Sequence, residues 1–78
     1  MTNAEKYKQT FMASLGVARE VLPDLTYQGV DSWESVGHMG LIAALEETFN
    51  FMMETDDIIS FNSFMKGYEI LKKYGVGF

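Results

Sequence analysis

The sequence contains no cysteine, and it has only one proline, one histidine and one tryptophan. Without cysteine the chain cannot form a disulfide, a thiolate metal site or a cysteine nucleophile. No uninterrupted apolar run approaches the roughly 20 residues that span a bilayer, so we expect no membrane insertion. The polar N-terminal residues do not resemble the apolar core of a signal peptide, and we therefore expect a cytoplasmic protein.

Basic residues are also scarce. Six Lys and Arg against eleven Asp and Glu give a net charge of −5. Binding to a phosphate backbone depends on Lys and Arg, so this balance argues against nucleic acid as a partner. It favours a partner with a basic surface, although an acidic balance can also simply keep a small protein in solution.

The length of 78 residues predicts a single domain, residues 1–78. A chain of this size buries only about 60% of the surface that its unfolded form exposes. No Cys/His cluster suggests a structural metal, so stability must come from packing, which favours well-formed local helices. We expect a monomer.

Residues 2–15 are predicted to form the first helix, which Thr2 and Glu5 begin as a capping box and Gly16 ends. Its apolar face has the spacing of a helix: Ala4, Tyr7, Phe11 and Leu15. Tyr7 is therefore interpreted as a core residue.

Residues 17–34 are predicted to be a long first loop, in which Pro23 ends any short helical turn. Residues 28–31 have the composition of a turn. Trp33, near the end of the loop, is interpreted as a side chain that closes the loop over the core, with partner docking as the alternative.

The strongest helical pattern covers residues 35–50. Four apolar side chains form its predicted buried stripe: Met39, Ile42, Leu45 and Phe49. Gly37 and Gly40 lie in its first turns, where each costs about 1 kcal/mol relative to alanine. We expect close approach of another backbone or a ligand to offset that cost.

A short third helix is expected to begin at Thr55, and a fourth is expected to run from Asn62 or Ser63 to residues 74–75. The tail, residues 75–78, is expected to be frayed. The predicted fold class is all-α: a small four-helix bundle with three longer helices, one short helix and a long first loop.

Ser35 lies at the junction of the long loop and the second helix. A serine at this position is commonly an N-cap, and that interpretation stands as the first alternative. The junction is also exposed. Free N–H groups and the positive end of the helix dipole would stabilise an anionic group attached to the hydroxyl.

Residues 33–39 read Trp-Glu-Ser-Val-Gly-His-Met, and a Leu-Ile pair and a Leu-Glu-x-x-Phe element follow in the second helix. This stretch resembles the acyl carrier protein family, and within it the branch whose motif reads Trp-Asp-Ser-Leu-Gly-His-Met. Weaker matches extend the resemblance over roughly residues 25–72. The first helix agrees by pattern only.

The resemblance implies that Ser35 receives 4′-phosphopantetheine from coenzyme A through a separate phosphopantetheinyl transferase. The arm would supply the thiol that this chain lacks and would hold an acyl or aminoacyl group as a thioester. The implied partners are a loading ligase and downstream transferases with basic docking surfaces. The chain itself would not be an enzyme. The motif variant is more typical of specialised carriers beside adenylating or ligase enzymes than of the housekeeping fatty-acid carrier.

Two departures from the family motif concern partner recognition. Glu34 stands where the family usually has Asp, and Val36 stands where it has Leu. By the resemblance these two residues contact partner enzymes, together with the acidic residues Glu46, Glu47 and Asp56.

A second serine, Ser32, follows an aspartate and so preserves the familiar Asp-Ser dipeptide. Only Ser35 has the correct spacing to Gly37-His38 and to the Leu-Glu pair of the second helix. We therefore interpret Ser35 as the attachment point.

Other groups suggest other chemistry less strongly. His38 could approach Ser35 on the same helix, but a partly exposed structural role is expected. Asp56 and Asp57 are interpreted as first-turn helix charges rather than an acid/base pair or a metal site. A functional alternative is an unmodified acidic helical module that binds a basic partner. A small enzyme that uses Ser35 and His38 has little support.

Overall fold

The computed structural model describes all residues, 1–78, and its regular structure is entirely helical. Four α-helices form in chain order: α1 (Asn3–Leu15), α2 (Ser35–Phe49), α3 (Thr55–Ser60) and α4 (Phe64–Lys73). A 3₁₀ helix, Arg19–Asp24, lies in the first connection. None of the helices combines the length and the apolar character needed to cross a bilayer.

The start and end of α1 follow from local chemistry. The Thr2 hydroxyl accepts a hydrogen bond from the Glu5 backbone N–H at 3.1 Å, and Gly16 ends the helix in the left-handed region at φ 66°. The reciprocal half of the capping box does not form, because the Glu5 carboxylate pairs with the Arg19 guanidinium instead. That ion pair joins α1 to the 3₁₀ helix.

The predicted long loop is thus partly helical. Pro23 lies within the 3₁₀ helix, which ends one residue later. After it, an isolated antiparallel bridge pairs Thr26 with Ser63 and ties the first connection to the start of α4. Gln28 adopts a positive φ of 67° in the turn that leads to Trp33.

The core is one cluster of fifteen buried side chains. The three longer α-helices supply most of it: Tyr7, Phe11 and Leu15; Leu41, Ile42 and Leu45; Phe64, Ile70 and Leu71. Trp33 is fully buried, which confirms its interpretation as the residue that closes the loop over the core. Its indole meets Phe11 edge to face with ring centroids 5.5 Å apart.

Three of the sequence-based expectations are wrong. Met39 is not part of the buried stripe but 54% exposed, because it lies on the side of α2 next to α3. Thr55 does not cap α3, since Glu54 occupies the N-cap position and no side chain bonds there. The tail is not frayed. Val76 is buried, and the Phe78 ring packs against Tyr68 with centroids 4.7 Å apart.

Candidate functional site

Ser35 is the first residue of α2, and it is exposed. The N-cap is the preceding residue, Glu34. Its carboxylate accepts hydrogen bonds from the backbone N–H of Gly37 at 2.7 Å and of Val36 at 3.1 Å. The interpretation of Ser35 as the cap is therefore wrong. The Ser35 hydroxyl makes no hydrogen bond within the chain, and the residue is exposed. The expectation of free N–H groups beside Ser35 is also wrong for Val36 and Gly37, because both N–H groups donate to the Glu34 carboxylate.

The competing serine, Ser32, has a structural use. Its hydroxyl donates to the Leu15 backbone carbonyl at 2.6 Å and so fastens the loop to the end of α1. Of the two serines, only Ser35 has a hydroxyl that the fold does not employ.

Gly37 explains how the loop reaches the start of α2. A Cβ atom at Gly37 would lie 1.9 Å from the Ser32 carbonyl oxygen, so only glycine lets the loop pass this close to the first turn. This confirms the expected close approach of a second backbone. At Gly40 no such neighbour exists within 4 Å.

His38 is half-buried, and the fold uses both of its ring nitrogens. Nδ1 accepts a hydrogen bond from the Trp33 indole N–H at 2.9 Å, and Nε2 lies 2.8 Å from the Ile58 carbonyl oxygen. An indole nitrogen can only donate and a carbonyl oxygen can only accept, so the proton resides on Nε2. Neither nitrogen is free to take a proton from Ser35 in this arrangement.

A cleft of about 340 Å³ lies beside Ser35, between the first turns of α2 and the end of α3. Ser35 and His38 form part of its wall, and the other lining side chains are Tyr27, Met39, Ile58, Ile59, Phe61 and Asn62. The lining is mostly apolar. A group attached to Ser35 could therefore place an apolar portion in the cleft.

Large apolar side chains are exposed on either side of the serine. Val36 is 77% exposed and Ile59 is 74% exposed, and Met39 lies between α2 and α3 at the cleft. Val36 and Met39 follow Ser35 on α2, so helical spacing alone could have placed both of them near it. Ile59 comes from a distant part of the sequence and could be found only from the fold.

The acidic residues expected to contact partners fall into two groups. Glu34 caps α2, and the Glu46 carboxylate accepts a hydrogen bond from the Met53 backbone N–H at 2.8 Å, so the fold employs both. Glu47 and Asp56 are exposed and make no hydrogen bond or ion pair. The carboxylates of Glu47 and Asp56 are therefore free to contact a partner.

Asp57 takes part in a polar cluster between α3 and α4. Its carboxylate accepts a hydrogen bond from the Lys73 ammonium at 2.6 Å and another from the Tyr74 hydroxyl. The Lys73 and Tyr74 hydrogen bonds hold the pKa of Asp57 below its usual value. The neighbouring Asp56 is not part of this cluster. No group of three or more His, Asp or Glu side chains is placed to hold a metal ion.

A larger and shallower groove, about 470 Å³, runs between α1 and α2 on a different part of the surface. Polar and small side chains line it, including Gln9, Thr10, Ala44 and Thr48. It contains no nucleophile paired with a base, and Ser35 is not among its lining residues.

No protein-family model, curated protein or solved structure matches this chain. A proposal for its function therefore depends on residues 33–39 and on the geometry around Ser35.

Proposed function

We propose that the chain is a carrier of the acyl carrier protein type. In this proposal Ser35 carries a 4′-phosphopantetheine arm, and the protein delivers an acyl or aminoacyl group between separate biosynthetic enzymes. The carrier itself performs no catalytic step.

The observation that carries the proposal is the free hydroxyl of Ser35. Serine at the start of a helix is ordinarily the N-cap. Here Glu34 caps α2, and the Ser35 hydroxyl makes no hydrogen bond within the chain. An exposed hydroxyl at the junction of a loop and a helix is accessible to a modifying enzyme. Hydrogen bonds of Ser32 and Trp33 hold the loop that leads to Ser35.

The surroundings of Ser35 suit the arm. Attachment forms a bond between Ser35 Oγ and the phosphorus of the phosphopantetheinyl group. It breaks the pyrophosphate bond of coenzyme A, so that adenosine 3′,5′-bisphosphate leaves, and the hydroxyl proton passes to a base of the transferase. The positive end of the α2 dipole favours the resulting phosphodiester, although the Glu34 carboxylate already accepts from two of the N–H groups there. When attached, the arm supplies a thiol, which this cysteine-free chain otherwise lacks.

Partner enzymes would meet the surface around Ser35. Val36 and Ile59 present exposed apolar side chains there, and Glu47, near the other end of α2, and Asp56, at the start of α3, present unpaired negative charge. A transferase, a loading ligase or a downstream transferase with a basic, partly apolar docking face complements both features. We propose Glu47 and Asp56 for the charged contacts. Glu34 and Glu46 contribute to the potential while they stabilise the fold.

The experiment is incubation of the purified chain with coenzyme A, Mg²⁺ and a phosphopantetheinyl transferase of broad specificity, followed by intact mass measurement. We expect the wild-type chain and Ser32→Ala to gain the mass of one phosphopantetheinyl group. Ser35→Ala should gain none.

Circular dichroism of both variants supplies the control. Ser32→Ala loses the bond to Leu15, so it is the variant that should unfold more readily, yet it should still be modified. An unmodified wild-type chain with several transferases would overturn the proposal. The unmodified acidic interaction module would then be the better description.

A further inference from the structure

Helix α3 is the element least able to hold its own position. It has only six residues and buries no side chain completely. Isolated helices much shorter than about 12 residues are marginal in water, so contacts at its two ends must fix α3 on the bundle. Its side chains Ile58 and Ile59 form one wall of the cleft beside Ser35.

The N-terminal end of α3 is joined to α4. Asp57 bonds to Lys73 and to the Tyr74 hydroxyl, and that hydroxyl also accepts a hydrogen bond from the Glu54 backbone N–H at 2.9 Å. These contacts lie away from the cleft, so they anchor α3 without closing the cleft.

The C-terminal end of α3 is joined to α2 by His38. The last carbonyl groups of a helix depend on partners outside it. That of Ile58 accepts a hydrogen bond from the Phe61 backbone N–H at 3.4 Å and a shorter one, at 2.8 Å, from the His38 Nε2–H. On the other side of the ring, Trp33 holds Nδ1 as the acceptor. The buried indole thereby directs the imidazole proton towards α3.

We propose that His38 is a positioning residue that latches the end of α3 to α2 and so sets the width of the cleft beside Ser35. With the latch formed, Ile58 and Ile59 stay against α2. With the latch broken, α3 pivots on its Asp57 anchor and the cleft widens. In the carrier, the latch would determine how large an attached group the cleft accepts, and this part of the inference rests on the proposed function.

Two substitutions of His38 each keep one of the two hydrogen bonds that the imidazole makes and remove the other. In His38→Gln the side-chain amide nitrogen occupies the position of Nε2 and can still donate to Ile58. In His38→Asn the amide oxygen occupies the position of Nδ1 and can still accept from Trp33. Each variant loses one hydrogen bond, so each is the matched control for the other.

The first measurement is amide hydrogen exchange of Ile58 and Phe61 in the unmodified full chain, corrected for global stability. We expect exchange in His38→Asn to be about tenfold faster than in the wild type, the factor that loss of one hydrogen bond gives. His38→Gln should stay close to the wild type. Equal exchange rates at α3 in the two variants would refute the latch.

Should either variant fail to fold, the wild-type chain still provides a test. The ¹⁵N chemical shifts of the imidazole distinguish a proton on Nε2 from one on Nδ1. The latch requires the proton on Nε2 at neutral pH, and a proton on Nδ1 instead would overturn it.

The second measurement concerns the cleft. Arms that end in alkanoyl groups of increasing length are placed on Ser35, and the Ile58 and Ile59 methyl shifts are followed. We expect the longest group that still shifts these methyls to be longer in His38→Asn than in His38→Gln. If both variants accept the same lengths, the latch does not control the cleft. A Ser35 that accepts no arm at all refutes the proposed function, while the exchange comparison still tests the latch.

Discussion

At Gly37 an added Cβ would lie 1.9 Å from the Ser32 carbonyl oxygen, whereas at Gly40 nothing lies within 4 Å. The two glycines are neighbours on α2 and neither has a positive φ. Gly37 is needed because the loop passes close to the helix there. Gly40 imposes the entropic cost of glycine, and no contact inside the chain requires it.

This contrast predicts opposite effects of the same substitution. Gly40→Ala should raise the free energy of unfolding by about 0.5–1 kcal/mol, because alanine is the better helix former. Gly37→Ala should lower it by about 1–3 kcal/mol, because the loop must shift to make room. Urea unfolding of the two variants and the wild type measures both. A Gly40→Ala variant that is less stable than the wild type would contradict the first expectation.

Residue-scale chemistry also shows why the cap of α2 could not be read from the sequence. Serine is a preferred cap and glutamate is not, so Ser35 was a reasonable candidate. The buried Trp33 and the Ser32–Gly37 contact fix where the chain can turn into the helix. That point is Glu34, whose carbonyl already accepts from the His38 N–H at 2.7 Å. The position at which α2 begins thus depends on these packing contacts as well as on the capping preference of each residue.

At the scale of an element, the anchor of α3 predicts how the protein responds to acid. Pairing lowers the pKa of Asp57 in the folded state, with the Lys73 hydrogen bond as the larger cause and the Tyr74 hydrogen bond as the next. Its contribution to stability is therefore complete above the unfolded value of 3.8 and is lost as the pH falls through the lower, folded value.

Asp57→Asn should therefore lose less stability than the wild type when the pH is lowered from neutral into this acid range. Denaturant midpoints at a series of pH values give the comparison. Asp56→Asn is the control, because its carboxylate makes no such contact and its acid profile should match that of the wild type. The Glu5 carboxyl, whose pKa the Arg19 hydrogen bond lowers, contributes equally in all three proteins. Identical profiles for Asp57→Asn and the wild type would contradict the anchor.

The helices themselves were largely predictable because their signals are local. Gly16 and Ser63 act as expected, the first in the left-handed region and the second by accepting a bond from the Lys66 N–H at 2.9 Å. The 3₁₀ helix could be predicted only as a short helical turn before Pro23, and the structure places Pro23 inside it. The ordered tail was missed, since two of the rings on which Phe78 packs, Tyr7 and Phe49, lie far away in the sequence.

For the whole molecule, Tyr7 is the centre of the aromatic core. Its ring contacts Phe11, Phe64 and Tyr68, and its hydroxyl donates to the Phe64 carbonyl at 2.7 Å. Gly67 makes room for this hydroxyl, since a Cβ there would lie 1.9 Å from it. Helices α1 and α4 are thereby held in register.

Alkaline pH should lower the stability of the fold, because Tyr7 is buried with its hydroxyl protonated. Burial, and to a smaller extent the neighbouring Tyr68, raise the pKa of Tyr7 well above its usual range. Its contribution to stability is present below the unfolded value of about 10 and falls as the pH rises above it, because only the unfolded chain can release the proton easily.

Tyr7→Phe should therefore lose less stability than the wild type between about pH 9 and pH 11. At neutral pH it should be less stable by about 1–3 kcal/mol, because the Phe64 carbonyl loses its buried partner. Thermal unfolding at neutral pH and at about pH 9 and pH 11 measures both effects. The pKa values of Tyr68 and Tyr74 are also raised, so the slope should decrease without vanishing. An unchanged alkaline slope would contradict this account.

The site as a whole was predictable only in part. The string at residues 33–39 selects Ser35 as the candidate residue, and that choice stays a prediction. The cleft was not predictable, because Tyr27, His38 and Ile59 come from three separate segments that only the packed bundle brings together. Likewise, the sequence does not show which acidic side chains bond to backbone N–H groups and which stay unpaired, because that depends on the N–H groups that the fold brings near them.

Trp33 has one more consequence. It is the only tryptophan in the chain, and its buried indole lies nearly parallel to the His38 ring, at 19° with centroids 6.2 Å apart. An indole in such a setting emits fluorescence whose wavelength and yield depend on the adjacent imidazole and on contact with water. The same imidazole bonds to the Ile58 carbonyl at the end of α3. The chain therefore contains an intrinsic optical reporter, and movement at the cleft can be followed in real time without a label.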